Sequence, residues 1–214
     1  MGKGSSGIGP SLSGSSGKPI NIVNETDVWS YRHDEDNEPF VDAINTGVKA
    51  IQDDFKDLMK SVDVVSASEL GGADKISTLG YYGGGTVGIN KEYTDIGKMN
   101  LVYDASVKTK YHPPRGNKTG TEAVALHEMG HALTDHVAKK MGTNLNGAAQ
   151  QIVDAAYKAI HGKGGTYKWA GQISGYAQDS YAECVAEAVC DWYCNGEKAS
   201  KASKAIMSQL KKYA

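Results

Sequence analysis

The chain has 214 residues, 40% of them hydrophobic, which is enough to bury a real core and suits one domain, or one domain plus a tail. Its 23 Lys and Arg against 25 Asp and Glu leave a formal charge of −2, with scattered basic residues, so nucleic acid is not an expected partner. No apolar run approaches the ~20 residues of a membrane span, so no membrane is expected either.

Residues 1–18 are rich in Gly and Ser and contain no apolar stretch, so they read as a flexible tail or linker rather than a signal peptide, with residues 19–214 as a single domain. The expected location is the cytoplasm at synthesis, with virion association or export as part of a larger polypeptide as the further setting that such a leader suits. Met1, Gly2 and Ser6 fit the loose M-G-x-x-x-S acylation pattern, but the linker reading accounts for the composition better. Asp34, Glu35, Asp36 and Glu38 form a solvated acidic loop ahead of Pro39, which opens an amphipathic helix carrying Phe40, Ile44, Val48, Ile51, Phe55 and Met59. Val62, Val64 and Val65 predict a short strand, and residues 79–90 a Gly-rich hairpin with Thr86, Val87 and Ile89 as strand core. Asn100 to Ala105 reads as another strand, followed by a loop stiffened by Pro113 and Pro114. A helix carrying Ile152, Val153, Ala156, Tyr157 and Ile160 ends at Gly162. Cys184, Cys190 and Cys194 share one C-terminal helix, where pairing is awkward; they read as small buried hydrophobes in a reducing compartment. Lys211 and Lys212 decorate the solvent face of a last helix.

Between these elements lies His127-Glu128-Met129-Gly130-His131, an H-E-x-x-H motif. On a helix each residue advances about 100°, so histidines four apart share a face and can grip one zinc ion. Glu128, offset by about 100° from His127, can lean over the open side of the metal and take a proton from zinc-bound water. Thr119-Gly120-Thr121-Glu122 is a T-x-x-E capping box, and Lys139, Lys140 and Gly142 read as the helix end, so the motif lies mid-helix.

A zinc hydrolase needs a third protein ligand and a fourth position open to water. His136 is nine residues from His127, about 900° around the helix and on its opposite side, so it reads as a surface or supporting residue. The metzincin pattern is excluded because Thr134 stands where it needs Gly and Val137 where it needs His. A G-T-x-x-D ligand fails because Trp169 follows Gly165, Thr166, Tyr167 and Lys168. Glu183 and Glu187 remain, one turn apart on an otherwise apolar helix, where buried carboxylates require a cation or donors. A metal would satisfy one of them. His33, His112 and His161 lie near polar or turn residues and read as surface histidines.

HEMGH followed by the stretch from Tyr176 to Ala188, with Glu183 and Glu187 one turn apart, resembles the zinc-binding halves of the gluzincins of the anthrax lethal factor and Pro-Pro endopeptidase group. The resemblance covers roughly residues 120–195. It implies an α+β, zincin-like metalloprotease domain with a small mixed sheet, an HExxH active-site helix and a C-terminal helix supplying a Glu ligand. It implies that His127, His131 and Glu183 hold one Zn²⁺, with Glu187 against a zinc-binding histidine. Glu128 is then the base and Tyr176 the donor to the oxyanion. Residues 81–90 are similar to the substrate-binding edge strand of such enzymes, so Thr86, Val87, Gly88 and Ile89 would hold an extended peptide or protein substrate by strand addition. Glycines 83–85 would let it approach, or form a turn. The expectation is a monomeric zinc-dependent endopeptidase; the alternative is a catalytically silent zincin-like structural or binding module of a phage or toxin protein.

Overall fold

The computed structural model describes residues 19–22, 26–29, 38–55, 58, 61–65, 78–160 and 165–213. The leader 1–18, His33, the acidic residues 34–36, Met59, His161 and Gly162 lie outside them.

Two short antiparallel strands come first, β1 (Pro19–Ile22) and β2 (Thr26–Trp29). Helix α1 (Glu38–Gln52) follows, with Pro39 in its first turn, where a missing N–H breaks no hydrogen bond. Phe40, Ile44, Val48 and Ile51 recur at helical spacing and are all buried, and Phe55 continues their stripe in the turn beyond.

A second, mixed sheet contains β3 (Ser61–Val65), β4 (Gly80–Gly83) and β5 (Thr86–Asn90). Its order is β3-β5-β4, with β3 parallel and β4 antiparallel to β5. The hairpin between β4 and β5 turns on Gly84 and Gly85, whose φ values of +61° and +89° lie where side-chain-bearing residues rarely go. The expected edge strand is therefore a central one: Thr86, Val87, Gly88 and Ile89 are paired on both sides and cannot accept a further strand. The hairpin's other arm, β4, has no second partner among the described residues. Asn90 donates its N–H to the Leu79 carbonyl at 2.9 Å, which sets the phase of the ladder. In antiparallel pairing the bonded positions alternate, so Gly80 and Tyr82 turn their backbone N–H and C=O groups away from β5, to an edge that is open among the described residues.

The stretch expected as a strand at Asn100 to Ala105 lies within helix α2 (Ile96–Lys108). Asp95 caps it, its side chain accepting the Lys98 N–H at 3.1 Å, and Met99 and Tyr103, one turn apart, are buried while Leu101 faces solvent. The period is helical, although Val102 and Tyr103 favour extended structure locally.

The remaining elements are α3 (Gly120–Met141), α4 (Leu145–Ile160), α5 (Thr166–Ala170), a 3₁₀ turn at Tyr176–Gln178, α6 (Tyr181–Asn195) and α7 (Lys201–Tyr213). The result is a mostly helical α+β architecture with a small mixed sheet. Helix α3 sits in the middle, packed against α1, α2, α4, α6 and the β4–β5 hairpin. Gly47 lets α1 come close: a Cβ there would stand 2.9 Å from Ala125 Cβ and from the Glu122 carbonyl oxygen. One core runs from Phe40 in α1 to Leu210 in α7 and takes in Cys184, Cys190 and Cys194 as buried free thiols. Lys211 and Lys212 are exposed, with Lys211 Nζ 5.4 Å above the Trp192 ring. Among the described residues no helix is long and apolar enough to cross a membrane.

Candidate metal centre

Helix α3 is closed at both ends by its own sequence. Thr119 Oγ1 accepts the Glu122 N–H at 3.1 Å and Glu122 Oε2 accepts the Thr119 N–H at 2.7 Å, the reciprocal capping box. At the other end Gly142 takes φ +65°, and the Thr143 N–H returns to the Ala138 carbonyl at 3.0 Å. The helix between them carries His127 and His131 one turn apart, ring centroids 5.0 Å from each other. His127, Glu128 and His131 form a buried group that could hold a metal ion, with one donor atom from each lying within 4.8 Å of the others.

The fourth side chain comes from α6. Ser180 caps that helix, its hydroxyl accepting the Glu183 N–H at 3.1 Å, so Glu183 sits in the first turn, where the helix dipole favours a negative charge. Its Oε2 lies 3.1 Å from His127 Nε2 and 3.3 Å from His131 Nε2. Glu183 thus presents one oxygen to both ring nitrogens. That oxygen is buried and has no hydrogen-bond partner. An acceptor so placed costs free energy unless a cation or donor reaches it. Ligands arranged tetrahedrally at 2.0–2.2 Å from one zinc ion lie about 3.4 Å apart, close to the two Glu183–imidazole distances.

Gly130 brings the two helices together: a Cβ on it would fall 2.8 Å from Ala186 Cα and 3.2 Å from Val189 Cβ. The same approach places Glu187, fully buried, behind His127. Its Oε1 accepts from His127 Nδ1 at 2.7 Å and from His112 Nδ1 at 3.0 Å, and its Oε2 from the Ser174 hydroxyl at 2.6 Å. An ionised carboxylate only accepts, so each Nδ1 carries the proton and the His127 Nε2 lone pair is left for a cation. Burial opposes ionisation of Glu187, but the His112 and His127 contacts outweigh it and hold the carboxyl down at about 2. Burial likewise opposes the Glu183 charge, and the two imidazoles beside it prevail, holding its pKa far below the ordinary value. For His127, burial favours the neutral ring, yet the Glu183 and Glu187 carboxylates facing its two nitrogens, with Glu128 nearby, raise its affinity for a proton. A cation at Nε2 competes for the same lone pair.

Glu128 is buried beside β4, where a Cβ on Gly80 would come within 3.0 Å of its Cγ. Burial raises its pKa, offset by the two motif histidines and reinforced by the Glu183 and Glu187 charges. A carboxylate with a raised pKa is a better proton acceptor near neutrality. Tyr176 stacks on His127 with centroids 5.7 Å apart and an interplanar angle of 15°. Burial, with the Glu183 and Glu128 charges, pushes its pKa far up, so its hydroxyl stays protonated and available as a donor. Tyr82 donates to Asp135 Oδ2 at 2.9 Å, tying the open edge of β4 to α3.

His112, read from sequence as a surface residue, is instead part of this cluster. Its side chain is 15% exposed, and its ring stacks on Tyr103 and meets Tyr111, Tyr176 and His127 edge-on. Its partner Glu187 is 75 residues away, so no local pattern could reveal the contact. His136 is half-buried and is not among the converging donors. Cys190 and Cys194 bring their sulfurs to 4.0 Å, but Cys190 faces the Ala123 carbonyl in the core, and neither belongs to the metal-capable group. Thr86, Val87, Gly88 and Ile89, held within the sheet, are not brought to the site as a free edge.

No protein-family model matches the chain, and no curated protein or solved structure does either.

Proposed function

We infer that this chain is a zinc-dependent endopeptidase with a zincin-type site. The observation that carries the reading is Glu183 Oε2, buried, without a hydrogen-bond partner, and 3.1 and 3.3 Å from the Nε2 atoms of His127 and His131. His127, His131 and Glu183 would hold the ion through two imidazole nitrogens and one carboxylate oxygen, a donor set suited to zinc with one position left open. The ion, when bound, supplies Lewis acidity toward a water molecule and the scissile carbonyl.

The rest falls to the chain's own groups. Glu128 takes the proton from the attacking water on its carboxylate and delivers it to the leaving amine nitrogen. Tyr176 keeps its proton and donates a hydrogen bond from its hydroxyl to the carbonyl oxygen as negative charge develops there. Glu187 keeps the proton on His127 Nδ1, so that Nε2 remains a ligand. An extended peptide pairs with the open edge of β4, at the outward groups of Gly80 and Tyr82, and Gly80 brings that edge against Glu128. This moves the substrate strand from residues 86–89 to the other arm of the hairpin.

Metal analysis of the full chain, combined with digestion of a broad peptide library, tests the reading. Wild type should carry about one zinc per chain and cleave peptides, and Glu128→Gln should keep the zinc and lose about 10²–10⁴-fold in turnover. A chain that binds no zinc would refute the metal site. A chain that binds zinc and cleaves nothing would be a silent binding module.

A further inference from the structure

We propose that His112 is a positioning residue: its Nδ1–H on Glu187 Oε1, and the short loop that carries it, hold His127 and Tyr176 in register. The inference rests on the metal-site reading above and names a residue that touches neither the donor atoms nor the open edge.

Glu187 is fully buried and offers two oxygens to three donors. Ser174 occupies Oε2, while His127 and His112 share Oε1 at 2.7 and 3.0 Å. Two hydrogen bonds converging on Oε1 from different elements fix where it stands, and through it the direction in which His127 Nε2 points. A residue present only to fill space would not need to aim an N–H at a buried carboxylate; the bond answers a polar requirement.

The same loop also holds Tyr176. The carbonyls of Lys110 and Tyr111 accept the N–H groups of Gly175 and Tyr176 at 2.7 and 3.0 Å. Tyr111 stacks on Tyr176 at 5.0 Å, His112 meets it edge-on at 5.4 Å, and Tyr176 in turn stacks on His127. Lys110 is the one described side-chain-bearing residue with positive φ, at +60°, a conformation that persists where the surroundings over-determine it. Its carbonyl is the one that meets Gly175, whose missing side chain permits the approach: a Cβ there would lie 3.2 Å from that oxygen. Residues 110–112 thus touch the tyrosine's backbone, its ring and the carboxylate behind His127.

The test uses the full chain with Zn²⁺ as probe, and measures zinc affinity by chelator competition in wild type, His112→Ala, His112→Phe and His112→Asn. Phenylalanine keeps a ring without the donor; asparagine keeps an amide N–H near the Nδ1 position without the ring. Ala and Phe should each weaken zinc binding about 10–100-fold, and Asn should return it to within roughly threefold of wild type. The imidazole N–H resonance of His127 in the metal-free protein should move in the Ala and Phe variants and recover in Asn. If Phe binds zinc like wild type while Asn behaves like Ala, ring packing is the whole role and the proposal falls; wild-type affinity in every variant also overturns it. If wild type itself binds no zinc, the metal reading has failed, and the resonance alone decides: an unmoved His127 signal in His112→Phe then refutes the positioning role.

Discussion

Gly130, the glycine inside the motif, is a sharp test of how the site is assembled. In an exposed helix interior Gly→Ala stabilises by about 1 kcal/mol. Here the new methyl would sit 2.8 Å from Ala186 Cα, 0.6 Å short of the 3.4 Å at which ordinary contact begins. The obstacle is backbone, so no rotamer relieves it and α3 and α6 must part. Overpacking of this kind costs about 1–3 kcal/mol, which offsets or exceeds the propensity gain and leaves a net loss of about 0–2 kcal/mol. The site should suffer more than the fold, because metal–ligand distances tolerate only about 0.2 Å. A displacement of α6 by 0.6 Å carries Glu183 and Glu187 away from His127 and His131 by several times that tolerance. Gly130→Ala should therefore unfold in denaturant close to wild type when metal-free, yet bind zinc about 10–100-fold more weakly by chelator competition. A variant about 1 kcal/mol more stable than wild type with unchanged zinc affinity would show that the helices do not approach closely at Gly130.

Two further expectations separate the carboxylates. Glu183→Ala should abolish stoichiometric zinc binding, whereas Glu187→Ala should retain it with affinity lowered about 10–100-fold; the reverse order would exchange their roles. In the metal-free protein the Glu187 carboxyl is held down from 4.5 to about 2, below its unfolded value. Its contribution to stability is thus fully present above pH 4.5 and is lost as pH falls toward 2. Acid denaturation followed by circular dichroism should show wild type losing stability across that window and Glu187→Gln losing less; parallel curves would mean that Glu187 is not held as an anion.

Features encoded within a few residues were legible in the sequence. Both ends of α3 are local devices, the Thr119–Glu122 box and the left-handed Gly142, and both are present in the structure. The stripe from Phe40 to Ile51 needed only helical periodicity. Residues 100–105 misled because Val102 and Tyr103 favour strands locally, while the deciding contacts, Met99 and Tyr103 against the core, are tertiary. The position of β5 was misread because alternation does not report a strand's neighbours. Its unbroken burial from Val87 to Asn90 is the mark of a strand covered on both faces, and in sequence that feature is masked by Gly88. Gly88 is there because the Tyr81 ring lies across it, 1.8 Å from where a Cβ would be.

The site divides along the same line. Spacing brings His127 and His131 together, and spacing puts Glu183 and Glu187 on one face, but the meeting of the two pairs depends on a helix–helix approach at Gly130. Once that approach is made, the two glutamates one turn apart on α6 reach opposite nitrogens of one imidazole. Glu183 then faces His127 Nε2 at 3.1 Å while Glu187 faces Nδ1 of the same ring at 2.7 Å. A single histidine is thereby clamped between a carboxylate at Nε2 and one that fixes the proton at Nδ1. Two glutamates at i and i+4 are common on helices and usually solvated. Here neither is exposed, and Glu187 takes one of its hydrogen bonds from His112, which belongs to no motif. The residues proposed to bind a metal are therefore readable as a pattern, and the residue proposed to orient them is found only through the fold.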